Sequence, residues 1–467
     1  MSVISSLLGN ISPVRSGSSE FFFTQTFFLS ECRDDVTFYT CAPTRRFDVD
    51  LWLKWRSNDI TQGKLMYDYI VVGGGIVGAS TAWQLKRQYP DKRILLIEKE
   101  AEFAQHQTGH NSGVIHAGVY YPPDSLKADF CKRGAQATLD FCQRHNIAVE
   151  NCGKLIVATT ARELERMQAL FRRCQQNDLD VELLTQAALE NVEPNISGLG
   201  AIYVKQTSIV DYQTVTHHLA EEFIELGGEV RLSTELVAAQ ELKNEIWLTC
   251  LLESGKTAQI ATRHLITCSG LMADRMTKML GIETDFRIVP YRGEYYQLSR
   301  DHDNIVKHLI YPVPDPELPF LGVHLTKMID GRVTVGPNAV QGWKREGYSR
   351  FNFSPKDTWE MLTFKGFWRV SSRHLKTGLC EFKNSWWKRG YLNRVQQYCP
   401  NLSAADLQPY PAGIRAQAVL KDGTLVHDFL FAQSKRSLHV CNAPSPAATS
   451  AIPIGEYLCQ KIAQTFE

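Results

Sequence analysis

Apolar positions change their period several times along this chain, and each change marks an element. Tyr69 to Val72 form an unbroken apolar run of strand type, Ile76 to Arg87 place apolar residues at helical spacing, and Ile94 to Ile97 give a second buried strand. Gly73, Gly74 and Gly75 stand between the first strand and the helix, so the stretch reads as one β-α-β unit. Further helices are predicted from Phe130 to about Ala148, from Arg162 to Gln176 and from Ile209 to Leu226, with LIVATT a strand between the first two. EVRLST and EIWLTCLLE alternate as strands, and HLITCSGLMADRM closes a buried strand on Ser269-Gly270 before a helix begins. Residues 287–340 carry the strand-like runs RIVPYRGEYYQL, LIYPVP, FLGVHLTKM and RVTVGPNAV between Gly and Pro turns, which predicts an antiparallel sheet apart from the first unit. Residues 341–400 turn helical. The chain closes on PYPAGIRAQAV, on KDGTLVHDFLFAQ, and on a strand, a small-residue loop from Asn442 to Ser450 and a last helix.

Composition adds limits rather than assignments. A chain of 467 residues with 44% hydrophobic and 22% charged residues has material for two or three domains and a substantial core. The net charge of +1 gives no overall case for a polyanionic partner, and no recognised binding motif points to nucleic acid. Twelve scattered cysteines without a C-x-x-C pair suit reduced thiols in a cytoplasmic compartment. No window reaches the roughly 18 apolar residues of a membrane-spanning helix. Residues 1–65 differ from the rest: Phe21 to Phe23 and Phe27 to Leu29 sit among polar residues without period, and Met66 stands just before the first strand. They are expected to be an extension, disordered or not native, with the functional protein beginning near Met66.

The candidate chemistry starts at Gly73, Gly75 and Gly78, which fit G-x-G-x-x-G. The first glycine permits the tight turn, the second lets a pyrophosphate approach the backbone, and the third lets helix and strand pack closely. Glu98 ends the second strand where a carboxylate accepts both hydroxyls of an adenosine ribose. The glycine-punctuated loop after it holds His106, His110, Asn111, Ser112 and His116; His110 and His116 lack a nearby carboxylate or thiolate at helical ligand spacing, so no metal is expected. Ser269-Gly270 offers the dinucleotide a second backbone contact, and the N-terminus of the last helix presents another set of N–H groups. Arg415, after a glycine in an apolar setting, is a candidate bidentate carboxylate clamp. Residues 341–400 hold twelve Lys or Arg against four Asp or Glu, a net of +8, together with Trp343, Trp359, Trp368, Trp386 and Trp387. Basic residues interleaved with tryptophan suit peripheral contact with a membrane surface, at its inner face, as well as they suit a solvated helical face.

Taken together, the fingerprint with Glu98, HNSGVIHAGVYYPPDSLKADFCKRG, PYRGEYYQL, HLTKMIDGRVTVGPNAV, PAGIRAQ and NAPSPAATSAIPIGEYL resemble the FAD-dependent oxidoreductases of the D-amino-acid oxidase superfamily. Within it they are similar to the L-2-hydroxyglutarate dehydrogenase or oxidase family, in that family's order, from about Met66 to the C-terminus. The resemblance implies FAD rather than NAD and an α/β architecture: a discontinuous Rossmann-like FAD-binding domain from 66–150, 205–285 and 405–467. The substrate domain, 151–204 and 286–404, would have a mostly antiparallel sheet and a helical insertion. It also implies Asn111, Ser112, Gly113, Ser269, Gly270, Ser445, Ala448 and Thr449 as cofactor contacts.

The activity so implied is oxidation of L-2-hydroxyglutarate to 2-oxoglutarate by hydride transfer from C2 to flavin N5, with electrons passed to quinone or oxygen. Such a reaction needs one base and anchors for a small dicarboxylate. His116 is the expected base and His110 the competing one, since a neutral imidazole is available near neutral pH. Arg415 is expected to hold the C1 carboxylate, and Arg292, His324 and Lys327 are candidates for the second anion. A flavin amine oxidase of the sarcosine or glycine type, and a non-catalytic nucleotide-binding sensor, remain as alternatives.

Overall fold

The computed structural model describes residues 66–315, 322–349 and 352–466; the N-terminal extension, residues 1–65, lies outside them. The first β-α-β unit forms as its pattern predicts. The strand Met66–Val72 is followed by the helix Ile76–Gln88 and by the strand Ile94–Ile97, which runs parallel to the first. On its other side Met66–Val72 pairs in parallel with Thr257–Thr267, and that strand pairs in parallel with Ser437–Asn442. Register aligns Val72 with both Ile97 and Thr267, so these strands end together at one sheet edge. The turn at Gly73, the loop from Glu98 and the loop from Cys268 all leave from that edge, where open parallel sheets bind their ligands.

The core on one face of this sheet is shared by the helices Ile76–Gln88, Leu126–Arg144, Tyr212–Glu225 and Ala451–Phe466, through buried residues such as Trp83, Phe141, Phe223 and Leu458. The hairpin of Thr234–Glu241 with Ile246–Leu252 supplies the antiparallel edge. The helix expected from Ile209 begins later, at Tyr212. The Asp211 carboxylate accepts from the N–H groups of Gln213 (3.0 Å) and Thr214 (3.2 Å), a cap that fixes the helix start. This leaves Ser208–Val210 free to pair as a strand with Val114–Ile115 and with Val149–Glu150. Likewise Ser125 caps Leu126–Arg144, one turn earlier than the apolar spacing suggested.

The second sheet has nine strands, antiparallel except where Leu309–Pro312 runs beside Lys154–Ala158. Its longest feature is the ribbon of Phe286–Leu298 with Leu407–Leu420, in which Tyr291 faces Arg415 and Arg292 faces Ile414. Strand pairing therefore places residues 407–420 in this sheet, although the sequence grouped them with the nucleotide unit. Residues 341–400 carry the short helices Pro355–Leu362, Lys365–Arg373, Leu375–Trp386 and Lys388–Val395.

This helical segment is tied to the nucleotide unit by Arg345, which is 2% exposed. Its guanidinium donates to both carboxylate oxygens of Asp274, one of them at 2.9 Å, and to the Leu271 carbonyl at 2.7 Å. Asp274→Ala should therefore leave a buried guanidinium without its main anion and destabilise the protein by about 3–5 kcal/mol, read as a large drop in the thermal unfolding midpoint. A change of only a few tenths of a kcal/mol would mean that water reaches Arg345.

Candidate active site

The three fingerprint glycines do different work. Gly73 has φ +112°, and a Cβ there would stand 2.5 Å from the Cys268 carbonyl oxygen. A Cβ on Gly78 would overlap the carbonyl of Gly73, so that position locks the helix against the turn. Gly75 caps the helix, and a Cβ there would meet only the Thr108 hydroxyl at 3.2 Å. Beyond Gly75 the helix N-terminus opens on a cavity of about 1480 Å³, bordered also by Gly73, Glu98, Ser269 and Gly270. Glu98 is oriented there by the Gly74 N–H at 2.5 Å and the Glu100 N–H at 2.9 Å. Among the described residues the buried Ser269 hydroxyl has no hydrogen-bond partner. An open helix N-terminus, an oriented carboxylate and an orphaned hydroxyl fit the phosphates and ribose of a dinucleotide.

The loop that follows Glu98 is held by its own polar side chains. Asn111 donates to the carbonyls of Gln107 (3.2 Å) and Thr108 (2.5 Å) and accepts the Gly113 N–H at 2.7 Å. Gly113, at φ +65°, is pressed against the Val210 carbonyl and shapes the loop from outside the cavity; Asn111 and Ser112 border it. The His116 N–H donates to the Thr449 hydroxyl at 3.1 Å, and Thr449 is also bonded to Tyr212 at 3.0 Å. The final loop is thereby joined to the histidine loop, and it brings Ser445, Ala448 and Thr449 to the cavity wall.

At the far end of the same cavity lie His116, His324, Arg415, Tyr295 and Tyr311. Burial pushes the His116 imidazolium down to about 3, and the positive charge of Lys154 adds to this. His324 is held down to about 3 by the same cause, with Arg415 and Lys154 contributing. Its ring stacks on Tyr311 at 4.0 Å, and Nδ1 bonds the Gly322 carbonyl at 3.0 Å. His110 also borders the cavity but is stacked on Tyr348 at 3.8 Å, with Nδ1 on the His106 carbonyl; burial lowers its pKa as well. Arg415 is half-buried, with Tyr295, Tyr391, Tyr311 and Glu381 as its electrostatic neighbours, and desolvation lowers its pKa.

Two sequence candidates are turned elsewhere. Arg292 pairs with Glu294, two residues on along the same strand face, and does not border the cavity. Lys327 pairs with Glu150 at 2.5 Å; side chains alternate along His324–Lys327, so Lys327 faces away from His324. Conversely, Tyr295, Tyr311 and Thr108 were missed. Tyr295 lies inside PYRGEYYQL, where polar and apolar residues do not alternate cleanly, so the sequence does not say which face meets a ligand.

Comparison with known proteins adds the following. Residues 68–461 match the family described as FAD dependent oxidoreductase. The chain is 55% identical over 397 residues to L-2-hydroxyglutarate dehydrogenase of Escherichia coli K12, covering 85% of this chain and 93% of that protein. To the mitochondrial L-2-hydroxyglutarate dehydrogenase of Homo sapiens it is 40% identical over 414 residues, covering 86% and 89%. Among solved structures, it resembles the FAD-bound L-alpha-glycerophosphate oxidase of Mycoplasma pneumoniae with TM-score 0.66 at 20% identity, over 84% of this chain and 93% of that one. Glycine oxidase of Geobacillus kaustophilus follows at TM-score 0.64 and 15% identity, over 86% and 96%. At such identities these likenesses show the fold.

The space around Gly75 generates a test. Gly75→Val should fold, since a new Cβ would meet only the Thr108 hydroxyl, at 3.2 Å, but should lose the dinucleotide, whose pyrophosphate needs the space beside Gly75. Nucleotide released on denaturation measures this, and an undiminished yield from a folded variant would contradict the cradle.

Proposed function

The chain belongs to the FAD dependent oxidoreductase family and, within it, to the L-2-hydroxyglutarate dehydrogenases, and on that footing we propose how its cavity oxidises L-2-hydroxyglutarate to 2-oxoglutarate. The enzyme is an FAD-linked oxidoreductase of a hydroxy acid. The observation that carries the site assignment is the continuity of one cavity from Gly75 and Glu98 to His116, His324 and Arg415. Gly73, Gly75, Glu98, Ser269, Gly270, Ser445, Ala448 and Thr449 are proposed to hold FAD, with Asn111 and Ser112 beside them and Gly78 and Gly113 shaping the backbone. FAD, when bound, supplies the two-electron acceptor, N5, for the C2 hydride.

The protein's own groups bind the acid and move its proton. Arg415 offers the C1 carboxylate a planar, bidentate fork in a water-poor setting. His116 accepts the C2 hydroxyl proton, with His110 as the second choice. Because burial lowers the imidazolium of His116 to about 3, its neutral form persists between about pH 3 and about pH 6.5, where an ordinary histidine would already be charged. His324, stacked on Tyr311 and within electrostatic reach of Arg415, is proposed as a neutral contact for the diacid. The same reading gives FAD the residues 66–150, 205–285 and those after 420, and gives the acid 151–204 and 286–420.

Reduced flavin must pass its electrons on, and quinone or oxygen is the proposed acceptor. Phe353, Trp359, Trp368, Leu375, Leu379, Phe382 and Trp387 are all exposed, in the segment whose net charge is +8. Exposed aromatics beside surplus cations support docking on an anionic membrane at its inner, cytoplasmic face, which favours the quinone. No helix of the described residues is long and apolar enough to cross a membrane.

Anaerobic mixing with L-2-hydroxyglutarate should bleach the flavin, whereas sarcosine and glycine should not; bleaching by the amines alone would overturn the assignment. Arg415→Lys keeps the charge but loses the fork, so it should stay yellow and folded while kcat/KM falls by roughly two to four orders of magnitude, the equivalent of about 3–5 kcal/mol. His116→Ala should retain binding of 2-oxoglutarate yet be reduced roughly a hundred to ten thousand times more slowly. Near-normal reduction in either variant moves that role to another residue. Binding to vesicles of anionic lipid should weaken steeply with salt, and salt-independent binding would return the tryptophan-rich face to solvent.

A further inference from the structure

Lys154 opens the strand Lys154–Ala158 and is 1% exposed. Its Nζ lies over the rings of Tyr120 and Tyr311, 5.0 and 5.2 Å from their centroids, and both tyrosines border the cavity. The neighbours that favour its charge are the thiols of Cys131 and Cys174, not a carboxylate. An ammonium buried without a carboxylate is costly, and contacts with two aromatic faces offset only part of that cost. Lys154 is within electrostatic reach of His116 and of His324, and His324 also feels Arg415. Both histidines therefore lie in the field of Lys154, and His324 lies in that of Arg415 as well. A 2-hydroxy diacid brings two anions to this place, and Arg292 and Lys327 are engaged elsewhere.

We propose that Lys154 is the positioning residue that makes the site prefer a dicarboxylate: from behind Tyr120 and Tyr311 its ammonium provides the field into which the distal carboxylate settles while Arg415 holds the C1 end. The proposal rests on the hydroxy-diacid reading of the site. The Tyr120 hydroxyl, buried and without a hydrogen-bond partner among the described residues, adds a donor in the same region.

A pH signature follows. Burial lowers the Lys154 ammonium to about 8, so its charge is lost as pH rises through that value and the diacid preference should fade with it. The other groups facing it do not titrate there. His116 and His324 are already neutral, burial pushes the thiols of Cys131 and Cys174 up to about 12 and about 11, and the phenols of Tyr120 and Tyr311 are raised.

The test uses the FAD-loaded full chain and follows flavin absorbance on titration with glutarate and with pentanoate, a monoacid of equal length. Lys154→Met should weaken glutarate binding by roughly tenfold to a hundredfold and leave pentanoate unchanged. Lys154→Arg should keep the preference and should still show it at about pH 9, where the wild type has lost it. Equal weakening of both ligands, or of neither, overturns the proposal. If Lys154→Met does not fold, the arginine variant decides: a preference that fades with pH as in the wild type overturns it. Failure of the underlying reading looks different, because the wild-type flavin would then not be bleached by L-2-hydroxyglutarate at all.

Discussion

The site depends on how closely three backbone segments approach one another at the end of the parallel sheet. Gly73, Gly78 and the Cys268 carbonyl meet where no side chain fits, so the helix Ile76–Gln88 starts hard against the strand that precedes it. That closeness aims the helix N-terminus into the cavity and puts Glu98 and Ser269 on its walls. Because Val72, Ile97 and Thr267 share a register, a shift of any one strand would move its loop off the site.

The far end of the cavity is governed by burial rather than by close backbone packing. Desolvation holds His116 and His324 neutral, and two cations, Arg415 and Lys154, act on His324 from within the protein. Anions entering such a place exchange water for fixed charge, which favours a carboxylate that carries its own negative charge over a neutral ligand. The ribbon Phe286–Leu298 with Leu407–Leu420 delivers Arg415, while the loop after Glu98 delivers His116, and both border one cavity.

The nucleotide turn and the elements around it are legible in the chain. The glycine spacing with Glu98 announces a phosphate turn because only one backbone geometry tolerates that pattern, and the helix and strand around it follow from apolar period. Arg415 stood out as a cation in an apolar run. What the chain did not disclose depends on facing and pairing. Arg292 and Arg415 read alike as strand arginines, yet one pairs with Glu294 and the other borders the cavity, a difference set by cross-strand register. Lys327 and His324 lie three apart on one strand and so point opposite ways. Lys154 is hidden for the opposite reason: a lysine at the start of a buried strand looks like a surface residue until Tyr120 and Tyr311 close over it.

We propose that cofactor and hydroxy acid share one cavity in which the C2 hydrogen leaves toward the flavin while a neutral histidine takes the hydroxyl proton. The most direct measurement is single-turnover, anaerobic flavin reduction by L-2-hydroxyglutarate carrying deuterium at C2, compared with the protiated acid. A primary isotope effect on flavin bleaching, with 2-oxoglutarate formed one for one with reduced flavin, is the result expected. Bleaching at equal rates with the two isotopologues, or reduction without 2-oxoglutarate, would contradict it.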